Sequence, residues 1–302
     1  MIEIALMVSG QNGLTWPRWK KIVRAAEDLG FAGLYMSDHF TNPEPPDLDS
    51  LELWVALTWL AGNTERIEFG PMVSPVSFRH PAMTARMGCS VDDLSGGRLQ
   101  LALGAGWQVR EHHNYSYDLL AVPARFDRFE EALKIITHLV RSDEPLDFEG
   151  KYYQMNEAVL LPRPQRAGGP PIMIGGNGPK RTLPLAARFA DEWNAVFIPP
   201  AKFKELNSML DKMILANNRK PANVRRSLMT GTAISKDEDK ITERLRGKTR
   251  AEMRQDGAIV GKPAEIGEQI SEYEEAGVQR LMLRWFDVDD IEGLENLAKN
   301  LF

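Results

Sequence analysis

The chain has 302 residues, 43% of them apolar and 26% charged, which is the composition of a folded chain with a large buried core and excludes wholesale disorder. Its 37 basic and 42 acidic residues leave a formal net charge of -5, so the overall balance attracts neither nucleic acid nor an anionic membrane. Cys89 is the only cysteine, which excludes an internal disulfide framework and a cysteine-rich metal site and fits a reducing cytoplasm.

The first residues, Met1-Ile2-Glu3-Ile4, carry no basic segment followed by an apolar one, and no later apolar run reaches membrane-spanning length. A cytoplasmic protein is expected. The length fits two domains or one α/β barrel, and the reading is a single domain over residues 1–302.

In chain order, residues 2–8 read as a buried strand and 17–29 as an amphipathic helix that opens on proline and stops at Gly30. A second strand over 33–37, a helix over 51–61 and a third strand over 66–73 follow. Pro81 opens a helix over 82–94, the turn Ser95-Gly96-Gly97 ends it, and 98–103 gives a fourth strand. A longer excursion holds a helix near 125–140 and a hairpin near 148–159 before the fifth strand at 171–174.

The alternation then resumes with a helix (182–190), a strand (193–197), a helix (200–216) and a seventh strand (227–234). The stretch 236–254 is so rich in charge that it reads as a solvated helical or mobile insert. A helix over 263–276 closed by Gly277, a strand over 280–285 and a helix over 291–300 complete the chain. Such alternation predicts an α/β (β/α)8 TIM barrel with insertions after strands four and seven (105–170 and 236–262), a doubly wound open sheet being the alternative.

In a barrel, the strands' C-terminal tips gather at one mouth, where barrel enzymes keep their chemistry. Leu34-Tyr35-Met36-Ser37-Asp38-His39-Phe40 puts an acid and an imidazole there; the bland reading of His39 is a histidine held by Asp38 for packing. The other tips are Met72-Val73-Ser74, Gly104-Ala105-Gly106-Trp107 and Gly175-Gly176-Asn177-Gly178. Glycines before a helix start let backbone N–H groups approach a phosphate, although the same run also suits a plain turn. Trp107 and Glu111 are one helical turn apart and can share a face, and a carboxylate there could exchange a proton with His39; a solvated loop Glu is the alternative.

No HExxH or GxSxG occurs, no histidines and acids stand at metal-ligand spacing, and adjacent His112 and His113 point apart, so no metal is expected. The hard chemistry is therefore assigned to an organic cofactor. Trp54, Trp59, Met83 and Met87 sit at helical spacing and read as core or dimer-contact residues.

Over nearly its whole length the chain resembles the bacterial luciferase-like family of flavin and deazaflavin oxidoreductases. The carriers are Ala25-Ala26-Glu27-Asp28-Leu29-Gly30-Phe31 running into Ser37-Asp38-His39-Phe40, Phe78-Arg79-His80-Pro81-Ala82, Ser95-Gly96-Gly97-Arg98, and Gly104-Ala105-Gly106-Trp107 with Glu111. Phe126-Asp127-Arg128-Phe129-Glu130-Glu131, Phe148-Glu149-Gly150-Lys151-Tyr152-Tyr153 and Ile174-Gly175-Gly176-Asn177-Gly178 add to them.

The resemblance implies a barrel that binds coenzyme F420 or FMN at its mouth, usually as a homodimer, with the cofactor phosphate on Gly175, Gly176 and Asn177 and with Gly178, Gly106, Trp107 and Ser74 also among the cofactor-binding residues. It implies a non-prolyl cis peptide at Met72 and Val73, and it places Asp38 and His39 beside the reactive ring. The deazaflavin is favoured because Asp38-His39 supplies a proton carrier for a hydride reaction. The expected activity is hydride transfer between F420 and a small organic substrate, with His39, oriented by Asp38, as general acid or base and Glu111 as second candidate.

The rivals are an FMN-dependent monooxygenase using reduced flavin and oxygen, and a non-catalytic flavin-binding or light-emitting subunit. Ser116 and Glu192 stand where relatives often have glycine, which puts the turns of the substrate lid in question.

Overall fold

The structure is a computed structural model and describes residues 2–302. The expected alternation is present. Strand β1 (Glu3–Val8) leads to helix α1 (Trp16–Asp28), which has proline in its first turn, and then come β2 (Gly33–Met36), α2 (Leu53–Ala61) and β3 (Glu68–Pro71). The predicted third strand is interrupted: the Met72–Val73 peptide is cis, and pairing resumes in β4 (Ser74–Pro75). Helix α3 (Pro81–Leu94) and strand β5 (Leu101–Gly104) follow.

Between β5 and the next barrel strand lie α4 (Val109–Asn114), α5 (Val122–Arg141) and the antiparallel hairpin β6 (Leu146–Glu149) with β7 (Gln154–Ala158). The chain continues through β8 (Ile172–Gly175), α6 (Thr182–Phe189), β9 (Glu192–Val196), α7 (Pro200–Ala216) and β10 (Arg225–Ile234). The charged stretch holds α8 (Glu238–Leu245) and α9 (Arg250–Gln255), after which come β11 (Ile259–Gly261), α10 (Gly267–Glu275), β12 (Arg280–Trp285) and α11 (Ile291–Leu301). Sequence reading did not separate α4 or β11 as elements.

The strand path is β3-β2-β1-β12-β10-β9-β8-β5-β4, with β11 beside β10. Every pairing along that path is parallel. With β4 taken as the continuation of β3, the path has eight members, and it closes where the Phe69 carbonyl accepts from the Gln100 amide at 2.8 Å and the Phe69 amide donates to the Arg98 carbonyl at 3.2 Å. Closure needs a glycine: a Cβ on Gly70 would stand 2.2 Å from the Gln100 carbonyl oxygen. This is a (β/α)8 barrel, as expected.

The barrel interior is layered. Its lower end holds Arg280 among Glu3, Glu68, Glu192 and Tyr35, and its middle is Ala5, Met7, Ala102, Met173, Met229 and Met282. The helices pack on the outer strand faces through a second, larger core that includes Leu6, Val8, Leu34, Phe69, Leu103, Ile174 and Leu283. Glu192 begins β9 in this lower layer, so the expected lid turn is not there; Ser116 does adopt a left-handed φ of 59°. Trp54 is buried, whereas Met83 is 50% exposed on α3.

Candidate active site

Above the methionine layer, at the strands' C-terminal ends, opens a cavity of about 570 Å³, within the range of sites for small organic molecules. Its floor and walls are Met7, Met72, Val73, Val196 and Met229, and its polar groups come from Ser9, Gln11, Ser37, His39, Glu111 and Arg284. A recess of about 600 Å³ at the opposite end carries charge too, but there Arg226 is paired with Asp211 and Arg225 with Glu3. The cavity at the mouth is therefore the candidate site.

His39 follows the tip of β2 and lines the cavity. Its Nδ1 lies 2.8 Å from Glu111 Oε1, while Glu111 Oε2 accepts from the Phe40 amide at 3.1 Å. Glu111, on α4, is 1% exposed, so the loop-solvent reading of this residue does not hold. Because a carboxylate only accepts, this contact places the proton on Nδ1 and leaves Nε2 as the accepting nitrogen of the ring. The Trp107 ring stands edge-on to the imidazole at 5.6 Å and is 59% exposed at the rim.

Asp38 does not orient His39. Successive residues of extended chain point to opposite sides, so Ser37 and His39 reach the cavity while Asp38 between them is directed away from it. Its carboxylate accepts from Ser74 Oγ at 2.9 Å and from the Arg79 guanidinium, which also holds Glu52 at 2.7 Å. Burial pushes the Asp38 carboxyl up, and Arg79 and Ser74 pull against that rise. Asp38 and Ser74 are therefore a clamp behind the site, tying β2 to β4.

Met72 and Val73 both line the cavity. Val73 fits there because its neighbours have no side chains: a Cβ on Gly104 would meet Val73 Cγ2 at 2.5 Å, and one on Gly175 would meet Cγ1 at 2.9 Å. Gly106, Gly175 and Gly176 are on the wall, joined by Thr182 at the start of α6. Asn177 and Gly178 lie behind that wall. The Asn177 amide donates to the Val196 carbonyl at 2.7 Å and accepts from the Val196 amide at 2.9 Å, holding the β8 loop against β9.

Sequence reading missed Ser9, Gln11, Phe126, Phe197 and Arg284 and set His112 aside; all of them line the cavity. His112 bonds the Gln108 carbonyl at 2.7 Å and Ser77 Oγ at 2.8 Å, and burial holds its pKa below the usual imidazole value. A signal for Arg284 was present: in Arg280-Leu281-Met282-Leu283-Arg284 the period of two puts both arginines on the inward face of an apolar strand.

A closed parallel barrel whose strand tips surround one apolar cavity, with a part-buried imidazole held by a buried carboxylate, defines a (β/α)8-barrel enzyme. The chain belongs to the luciferase-like monooxygenase family, whose sequence profile matches residues 3–254. A relative from Microbacterium testaceum, an F420-dependent glucose-6-phosphate dehydrogenase, is 34% identical over 170 residues, 55% of this chain and 48% of that protein. The chain thus spans about half the length of the curated relatives it matches. Among solved structures, an F420-dependent secondary alcohol dehydrogenase in complex with an F420-acetone adduct superposes with TM-score 0.88 at 21% identity, covering 99% of this chain and 97% of that one. EDTA monooxygenase from Chelativorans sp. gives TM-score 0.81 at 15% identity, covering 99% and 93%. At these identities the two likenesses show the fold.

Proposed function

We propose that this chain is an F420-dependent oxidoreductase acting on a small organic substrate, with the His39–Glu111 pair as its proton carrier. The cavity fits the cofactor: a side-chain-free wall at Gly106, Gly175 and Gly176 faces an apolar floor, and Thr182 at the N-terminus of α6 stands where a phosphate is favoured. Gly175, Gly176 and Thr182 would hold the phosphate, and Met72 and Val73 would back the ring. When bound, a deazaflavin gives or takes a hydride, that is, two electrons and one proton at a time.

The chain's own part is the proton. With Nδ1–H committed to Glu111, His39 Nε2 takes a proton from a substrate hydroxyl during oxidation and returns it to a carbonyl oxygen during reduction. That 2.8 Å contact carries the proposal. The same cavity would also accommodate reduced FMN for oxygen activation, a reading supported by the match to the luciferase-like monooxygenase family.

Fluorescence titration of the purified chain with F420 and with FMN separates the two; tight FMN binding without F420 binding overturns the proposal. Replacing His39 by Ala is expected to lower kcat by about 10²–10⁴-fold with cofactor affinity little changed. Unaltered turnover would remove His39 from the chemistry.

A further inference from the structure

Arg284 is a cavity-lining cation with no carboxylate partner among the described residues. Its strand-mate Arg280 shows what a structural arginine looks like in this barrel: it is buried among Glu3, Glu68, Glu192 and the Tyr35 hydroxyl. Arg284 instead donates from Nε to Ser9 Oγ at 2.9 Å, which leaves both terminal nitrogens without an acceptor among the described residues. Its guanidinium stands 4.5 Å from the Phe286 ring centre and 5.9 Å from that of Phe197, and Arg246 stands 4.9 Å from Phe286. Burial and the nearby Arg246 push its pKa down to about 10, where it is still charged near neutrality.

A half-buried planar guanidinium with two unanswered terminal nitrogens, packed beside an aromatic ring, is built to receive an oxyanion bidentately. The cofactor phosphate is assigned to β8 and α6, and β8 is three places from β12 along the sheet, across β9 and β10. By contrast, β12 and β2 flank β1 on either side, so at about 4.8 Å per strand the Arg284 and His39 tips stand roughly 10 Å apart. That gap suits a short organic molecule.

We propose that Arg284 receives the anionic end of the substrate, making the substrate class a small organic acid whose carboxylate or phosphate sits on Arg284 and whose reacting carbon faces His39. The assignment rests on the oxidoreductase reading for what His39 does and on the Arg284 geometry alone for the anion. Ser9 aims the guanidinium, and the Phe286 ring packs beside it.

The test is fluorine NMR of trifluoroacetate added to the full chain without cofactor, repeated with Arg284→Met, beside an F420 titration of both proteins. Saturable line broadening in the wild type, weakened about tenfold or more in the variant with F420 affinity unchanged, is the expected result. Arg284→Gln, closer in shape, carries the same expectation and serves if the Met variant does not fold. Broadening that is absent, or equal in wild type and variant, overturns the proposal. So does an F420 affinity that falls with the substitution, since the anion would then be the cofactor's own. If the wild type ignores F420 while trifluoroacetate binding still depends on Arg284, the anion site stands and the F420 reading falls.

Discussion

His39 and Asp38 are adjacent in the chain and serve different networks, and each network makes its own prediction. Glu111→Gln keeps an acceptor for the Phe40 amide but removes the anionic partner of His39 Nδ1, so the imidazole tautomer is no longer enforced. Steady-state kinetics should show kcat lowered by about 10–100-fold with cofactor affinity within about twofold; equal turnover would mean that Glu111 only packs. Asp38→Asn leaves the Arg79 guanidinium without its buried acid, and urea unfolding should record a loss of about 3 kcal/mol with no comparable loss in cofactor affinity. The residue types at the mouth were legible because a strand tip, a glycine pair and an acid one turn beyond a tryptophan are local signals. The partnership was not: His39 and Glu111 are 72 positions apart, and only the pleat of β2 decides that His39 meets the acid and Asp38 does not.

Among the elements, the interrupted strand formed by β3 and β4 positions the cavity wall, because Val73 occupies the space that glycine leaves at the tips of β5 and β8. Gly104→Ala forces a Cβ to 2.5 Å from Val73 Cγ2, and Val73 is confined on its other side by Gly175. The expected loss is about 1–3 kcal/mol by thermal or urea unfolding, together with weaker cofactor binding as the wall is displaced. Adding Val73→Ala should restore part of the stability; strict additivity of the two changes would show that they do not touch. Helices and strands of the barrel were legible because prolines open α1, α3 and α7 and because the strands are continuous apolar runs buried on both faces. The six-residue α4 and three-residue β11 were not legible, since neither is long enough to show a period. Their placement comes from tertiary contacts: α4 delivers Glu111 to His39, and β11 extends the sheet along the far end of β10.

At the scale of the whole barrel, the first residues of β1, β3, β9, β10 and β12 bring Glu3, Glu68, Glu192, Arg225 and Arg280 together under the methionine layer. Arg280 is 1% exposed and Glu192 2%, so water is largely excluded from this inner pair, while Glu3, Glu68 and Arg225 around it are partly exposed. Arg280→Met removes the cation and leaves Glu192 buried beside other acids, which should destabilise the chain by about 3–5 kcal/mol. Burial already pushes the Glu192 carboxyl above its usual 4.5, and Arg280 is the main influence holding it down. Without Arg280 it rises further, so the folded variant binds a proton that the unfolded chain releases. Stability then falls as pH climbs from the unfolded value near 4.5 through the raised folded one. Urea unfolding of wild type and variant should therefore show a smaller deficit at about pH 5 than at about pH 8. A deficit independent of pH would mean that Glu192 stays charged without Arg280 and that Arg225, 3.9 Å away, is enough to hold it.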